Sequence, residues 1–166
     1  MAKTAFKGNP VNTSGNLPKV GEMAPDFKLV NSSLEDVKLS DYKGKNVVLN
    51  IFPSLDTGVC AASVRKFNKE AVSLDNTVVL GISADLPFAA SRFCSAEGIE
   101  NVVTLSVFRD DEFAKDYGVL LVDGPMKGLT ARAVVIVNPE GKVIYNQLVP
   151  EITEEPDYNS AINSIV

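Results

Sequence analysis

Cys60 closes the run Pro53-Ser54-Leu55-Asp56-Thr57-Gly58-Val59-Cys60. A proline stops the preceding apolar segment, a turn follows, and the thiol arrives in the first turn of the next helix. The exposed N–H groups and the dipole of a helix start favour an anion. A thiol there is set to work as a thiolate nucleophile. Thr57 has two readings: as a helix N-cap its oxygen accepts a backbone N–H, or its hydroxyl donates to the Cys60 sulfur. Asp56 beside Thr57 and Gly58 reads as turn and cap composition rather than as a metal ligand or a base. The plain alternative for Cys60 is a small buried apolar residue, which free cysteines often are. The strand–proline–turn–helix setting weighs against it.

Cys94 is the only other thiol. It lies in a helical segment from Pro87 to Glu97, with Gly98 as the stop. Alone it would read as packing. As the sole second thiol it is a candidate partner for Cys60, and bringing two separate helices within disulfide range, about 7 Å between Cα atoms, requires one of them to loosen. The chain has no histidine. That excludes a Ser-His-Asp triad, a Cys–His pair, and histidine-ligated zinc or haem. Two cysteines are too few for an all-cysteine metal site or a one-chain iron–sulfur site. Cofactors and metals are therefore not expected.

The elements that must hold these residues read as alternating strands and helices. Val47 to Phe52 and Thr77 to Ile82 are nearly continuous apolar runs, as in strands covered on both faces. Between them Val64, Phe67, Ala71 and Leu74 form one helical stripe. The spacing predicts strand–helix–strand over 46–83, with a right-handed crossover. Val102 to Val107 is a further strand, and Asp110 to Tyr117 a short helix. Ala133 to Val137 and Val143 to Leu148 are strands joined by the turn Asn138-Pro139-Glu140-Gly141. Pro156 starts a last helix carrying Tyr158, Ile162 and Ile165. Near the N-terminus, Thr4–Phe6 and Val11–Thr13 flank Gly8-Asn9-Pro10 as a possible hairpin, and Asp26–Val30 and Val37–Leu39 are short strands. The result is an α/β layer fold whose last two strands are antiparallel. Its 166 residues, 45% apolar and 22% charged, predict one globular domain over 1–166.

The net charge is −5, which argues against nucleic acid as a partner. No segment approaches the roughly 18 consecutive apolar residues of a membrane span. No apolar signal-peptide run is visible near the N-terminus, so a cytoplasmic protein is expected. In a reducing compartment two cysteines pair transiently rather than permanently.

The spacing Pro53-x-x-x-Thr57-x-x-Cys60 matches the active-site pattern of peroxiredoxins. The longer string NIFPSLDTGVCAASVRKFN from Asn50 to Asn68 resembles the thiol peroxidase branch of that family, of the atypical two-cysteine type. The stretches ISADLPFAASRFC, ending at Cys94, DGPMKGLTARAVV, and GNPV near the N-terminus agree with it. The resemblance covers nearly the whole chain. It implies a thioredoxin-like fold with a central mixed sheet flanked by helices and an N-terminal β-hairpin, and a homodimer. It implies reduction of hydrogen peroxide and alkyl or lipid hydroperoxides, with thioredoxin as reductant. By the same resemblance Cys60 is the peroxidatic cysteine, and Cys94 resolves it through an intramolecular disulfide. Thr57 supplies a hydroxyl to the reacting sulfur, Pro53 shields the pocket, and Arg132 is the active-site arginine. Of the four arginines, Arg132 alone falls at the start of a core strand, where a bare charge is costly unless paired. A thiolate would pair it; a carboxylate is the alternative.

Phe52, Leu55, Leu86, Phe88 and Phe93 are candidates for an apolar mouth, although core packing explains each of them singly. Two other functions share the chemistry. A protein disulfide oxidoreductase usually carries C-x-x-C, and Cys60 has no cysteine three residues away. A redox sensor would use the same disulfide to pass oxidation to a partner.

Overall fold

The computed structural model describes residues 2–165. The strands β3 (Lys28–Asn31), β4 (Asp36–Lys38), β5 (Asn46–Ile51), β6 (Thr77–Ser83), β7 (Val103–Ser106), β8 (Ala133–Val137) and β9 (Val143–Leu148) form one sheet in the order β4-β3-β7-β6-β5-β8-β9. β5, β6 and β7 run parallel, and β8 lies antiparallel to both β5 and β9. The sheet is therefore mixed, and its central strands are covered on both sides. Along β5, Val47, Leu49 and Ile51 enter one apolar cluster while Val48 enters the other. This is why the sequence reads as an unbroken apolar run rather than an alternating one.

Three helices enclose the second cluster: α1 (Gly58–Ala71) with Val64 and Phe67, α2 (Pro87–Glu97) with Ala90 and Phe93, and α4 (Tyr158–Asn163) with Ala161. The short helix α3 (Phe113–Asp116) packs against the opposite cluster, where Phe113 stacks on Tyr117 at 4.6 Å. Among the described residues no helix is long and apolar enough to cross a membrane.

Several boundaries differ from the sequence reading. The hairpin of β1 (Lys3–Phe6) and β2 (Asn9–Asn12) turns at Lys7-Gly8, with φ of 51° and 81°, so Asn9 and Pro10 lie in the strand rather than in the turn. Two consecutive positive φ angles define the tight turn that suits a twisted hairpin. The third helix begins at Phe113 rather than Asp110, because the Asp110 carboxylate accepts from Glu112 N and Phe113 N and folds the intervening residues into a bend ahead of the helix. The last helix begins at Tyr158, after Pro156, where Asp157 caps it by accepting from Ser160 N, and it ends before Ile165.

The N-terminal hairpin is tied to the segment after β9. Glu151 accepts from Gly8 N at 2.8 Å and from Lys7 N at 3.1 Å, and Ile152 N donates to Ala5 O. Hydrogen bonds from Thr153 N, Gly8 N, the Thr153 hydroxyl and Lys7 N bring the Glu151 carboxyl down to about 2 from its ordinary 4.5. A carboxylate lowered in the fold contributes most above its unfolded value. The tie is therefore intact above pH 4.5 and is lost as the pH falls towards about 2. The protection factors of the Thr4 and Val11 amides are expected to fall through that window, and Glu151→Gln to remove this pH dependence.

Candidate active site

β5 runs to Ile51, and its direction carries the chain into the crevice at the carboxyl edge of the parallel strands. Ligands in open α/β sheets tend to bind there. Thr130 Oγ1 donates to Phe52 O at 2.7 Å and pins the chain just before the buried Pro53. The loop 54–57 follows, and α1 starts at Gly58 with Thr57 in the N-cap position. The first-turn N–H groups have no side-chain cap, so their partial positive charge remains directed at the helix start. Cys60 is the third residue of this helix and is 0% exposed.

Arg132 immediately precedes β8 and is 2% exposed. Its Nη2 donates to Cys60 Sγ at 3.1 Å, and its Nε donates to Ile152 O at 2.7 Å. Nη1 has no hydrogen-bond partner among the described residues. The other three arginines each face a carboxylate: Arg65 meets Glu97, Arg92 meets Asp56, and Arg109 meets Asp36. No such pair forms at Arg132 among the described residues. Among the described residues its Nη2 meets the Cys60 sulfur and no carboxylate. The hairpin contributes at a distance, because the Ile152 residue whose N–H bonds Ala5 also receives Arg132 Nε on its carbonyl.

Thr57 meets neither of its two readings in full. It is the N-cap residue, but its hydroxyl donates to Ser54 O at 3.0 Å instead of capping an amide or bonding Cys60. Its own N–H donates to the same carbonyl, so Thr57 closes the loop on itself. Asp56 is exposed and paired with Arg92, consistent with a turn residue.

Cys94 is half-buried on α2 and packs against the apolar cluster that holds Cys60. The two sulfurs are unbonded. Burial pushes the Cys94 thiol up, opposed by a hydrogen bond with Thr104. The Cys94 carbonyl accepts from both Gly98 N and Ile99 N, so this residue also closes the end of its helix. Gly98 takes φ 66°, the left-handed conformation that such an ending needs. Of the candidate mouth residues, Phe52, Leu55 and Phe93 are core, whereas Leu86 and Phe88 are exposed at the start of α2.

Two features went unnoticed in the sequence. Asn50 Nδ2 donates to Ser63 Oγ, which donates to Cys60 O at 2.8 Å, a buried link beneath the helix start. Asp85 gathers several donors around Ser54 and Leu55. Asn50, Ser54, Ser63 and Asp85 all fall in the stretches that carry the resemblance, but their separation along the chain does not pair them; the parallel pairing of β5 with β6 brings residues 54 and 85 together.

A cysteine at a helix start, beside a buried guanidinium on a thioredoxin-like sheet, defines a thiol-based redox enzyme. The redoxin family model matches residues 19–162. The chain belongs to that family, in its thiol peroxidase branch of the peroxiredoxins. It is 58% identical to a thiol peroxidase of Corynebacterium glutamicum over 165 residues, covering 99% of each chain. It superposes on a peroxiredoxin-like protein from Aquifex aeolicus with a TM-score of 0.94 at 43% identity, covering 99% of this chain and 96% of the other. A thiol peroxidase from Chromobacterium violaceum shares the fold, with a TM-score of 0.89 at 22% identity over 96% of this chain and 92% of that one.

Proposed function

We propose that this thiol peroxidase reduces hydrogen peroxide and organic hydroperoxides through a Cys60 sulfenic acid and a Cys60–Cys94 disulfide. The observation that carries the reading is the buried Arg132 guanidinium, 3.1 Å from Cys60 Sγ at an uncapped helix start. The Cys60 thiolate attacks the terminal oxygen of the peroxide. The S–O bond forms as the O–O bond breaks, and the other oxygen leaves as an alcohol or water after taking up a proton. Negative charge moves from sulfur to the leaving oxygen. Arg132 Nη1, which has no partner among the described residues, and the first-turn amides are the donors available to follow it. The Thr57 hydroxyl joins them when it exchanges Ser54 O for the reacting atoms. Buried Pro53 shields the sulfur from solvent.

The Cys94 thiol then condenses with the sulfenic acid, giving the disulfide and water. Burial keeps Cys94 protonated while α2 is docked, so the attacking thiolate forms more readily once α2 loosens. A reduced dithiol protein of the thioredoxin type reopens the bond by exchange. The exposed Leu86 and Phe88 support alkyl and lipid hydroperoxides as substrates. The reading further takes the enzyme to be cytoplasmic and homodimeric, with its single domain needing no metal or cofactor.

The test is rapid-quench oxidation of the reduced protein followed by mass spectrometry. Wild type is expected to form an intramolecular disulfide. Cys94→Ser is expected to undergo one fast oxidation at Cys60, then to stop at sulfenic or sulfinic acid and fail to turn over with thioredoxin. Normal turnover by Cys94→Ser would refute the resolving role. Slow oxidation with a stable mixed disulfide to a partner would favour the redox sensor.

A further inference from the structure

We propose that Asp85 is a positioning residue that holds the loop before Cys60 in its reactive geometry and anchors it to the segment leading into the Cys94 helix. The inference rests on the roles of Cys60 and Cys94 given above. Asp85 lies between the end of β6 and the start of α2, two residues before Pro87. Its Oδ1 accepts from Ser54 Oγ at 2.8 Å. Its Oδ2 accepts from Leu55 N and from Ser83 Oγ, both at 2.7 Å. Its carbonyl accepts from Ser106 Oγ, at the end of β7. One residue thus joins the ends of three neighbouring strands through their outgoing segments.

Asp85 forms no ion pair among the described residues. Its carboxylate is engaged by neutral donors, which makes those hydrogen bonds charge-assisted and geometrically exacting. The route from Asp85 to the sulfur is short. Ser54, held by the carboxylate, accepts from Asp56 N through its hydroxyl and from Thr57 N and Thr57 Oγ1 through its carbonyl. Thr57 O accepts from Ala61 N, the bond that opens α1. Asp85 therefore sets Ser54, Ser54 sets Thr57, and Thr57 sets the helix turn that carries Cys60.

The same residue stands before the N-terminal end of α2, whereas Cys94 closes the opposite end at Gly98. The anchored end and the cysteine end of α2 are thus separate. Cys94 can leave the apolar cluster by loosening of its own end while the loop before Cys60 stays fixed. Peroxide attack depends on the anchor; disulfide closure does not.

Rapid-quench mass spectrometry separates the two steps: oxidation in a Cys94→Ser background, and closure in the two-cysteine protein. Asp85→Asn, which keeps the size but loses the charge and an acceptor, is expected to slow oxidation about 10-fold or more, since small misplacements are costly to a reacting pair. Closure is expected to be no slower than in wild type. Ser54→Ala, which removes one of the three donors to the carboxylate together with the acceptor of Asp56 N, is expected to slow oxidation less than Asp85→Asn, and the double variant to be slowed by less than the product of the two single effects, because they share the Ser54–Asp85 contact. Tyr117→Phe, which loses a bond to Pro25 O on the opposite face, serves as the stability control. Oxidation of Asp85→Asn at the wild-type rate would overturn the inference. So would additive effects of the two substitutions, or equal slowing by Tyr117→Phe at a matched loss of thermal stability. Those results leave the peroxidase reading intact if wild type still oxidises rapidly at Cys60; an unreactive wild-type Cys60 removes both.

Discussion

Cys60→Ser is expected to reduce peroxide consumption to the uncatalysed background. A serine hydroxyl stays protonated at neutral pH and cannot accept the peroxide oxygen to give a sulfenic acid. Cys94 is then the only thiol left, half-buried and with its ionisation opposed by burial. It should react no faster than an ordinary protein thiol. The substitution exchanges one polarizable atom for a smaller one in a site that is otherwise packed, so the fold should survive. Peroxide loss by a coupled thioredoxin assay, with circular dichroism as the folding control, checks both halves. Retention of a substantial fraction of wild-type turnover would move the nucleophile elsewhere.

Arg132→Met is expected to lower the second-order rate constant for peroxide by about 10²–10³, the range seen when one preorganised donor to developing charge is removed. In a Cys60→Ser background, where no sulfur anion pairs with the guanidinium, stability should move the other way or not at all. Arg132 is a buried cation with no carboxylate partner among the described residues, and an unbranched apolar side chain carries no such desolvation penalty. Arg132→Lys should recover little, because one ammonium cannot reach both Ile152 O and the sulfur with the fork geometry of a guanidinium. Stopped-flow oxidation of Arg132→Met and thermal melts of Arg132→Met in the Cys60→Ser background give the two signs. A fall in both activity and stability would make Arg132 a structural residue.

The sequence revealed features set by local chain chemistry. The α2 bounds, Pro87 to Glu97, follow from a proline at the start and a glycine at the end. The β8 and β9 strands follow from apolar runs around an Asn-Pro-Glu-Gly turn. The Cys60 setting follows from the proline, turn and helix stripe in succession. What stayed hidden depends on contacts between distant segments or on conformations that residue type does not announce. Lys7 at φ 51° is a non-glycine in a left-handed turn. Pro10 is tolerated in β2 because a two-stranded ribbon leaves one side of each strand without a ladder. The Arg132 clamp needs the carbonyl of Ile152, which the segment after β9 brings back across the hairpin. Thr57 offered two roles, and its hydroxyl instead donates a hydrogen bond to the carbonyl of Ser54. Asp85 shares no motif with Ser54; the sheet register alone makes them neighbours.

On the mechanism proposed above, the Arg132 guanidinium also gives the cycle a direction. In the proposed mechanism the attacking form of Cys60 carries a negative charge, which the Arg132 guanidinium faces at 3.1 Å. Oxidation to a sulfenic acid or a disulfide leaves the sulfur neutral, and Arg132 keeps its charge at every working pH. The packed arrangement then encloses an uncompensated cation, which low-dielectric surroundings penalise. The helices that pack around the reduced sulfur would then be expected to fit less well around the oxidised one. On the proposed mechanism, loss of one charge would work as a release catch: it would tilt the protein towards the loosened form in which Cys94 reaches Cys60, and reduction by a dithiol would reset it. A redox change at a single atom becomes a mechanical change with no moving ligand.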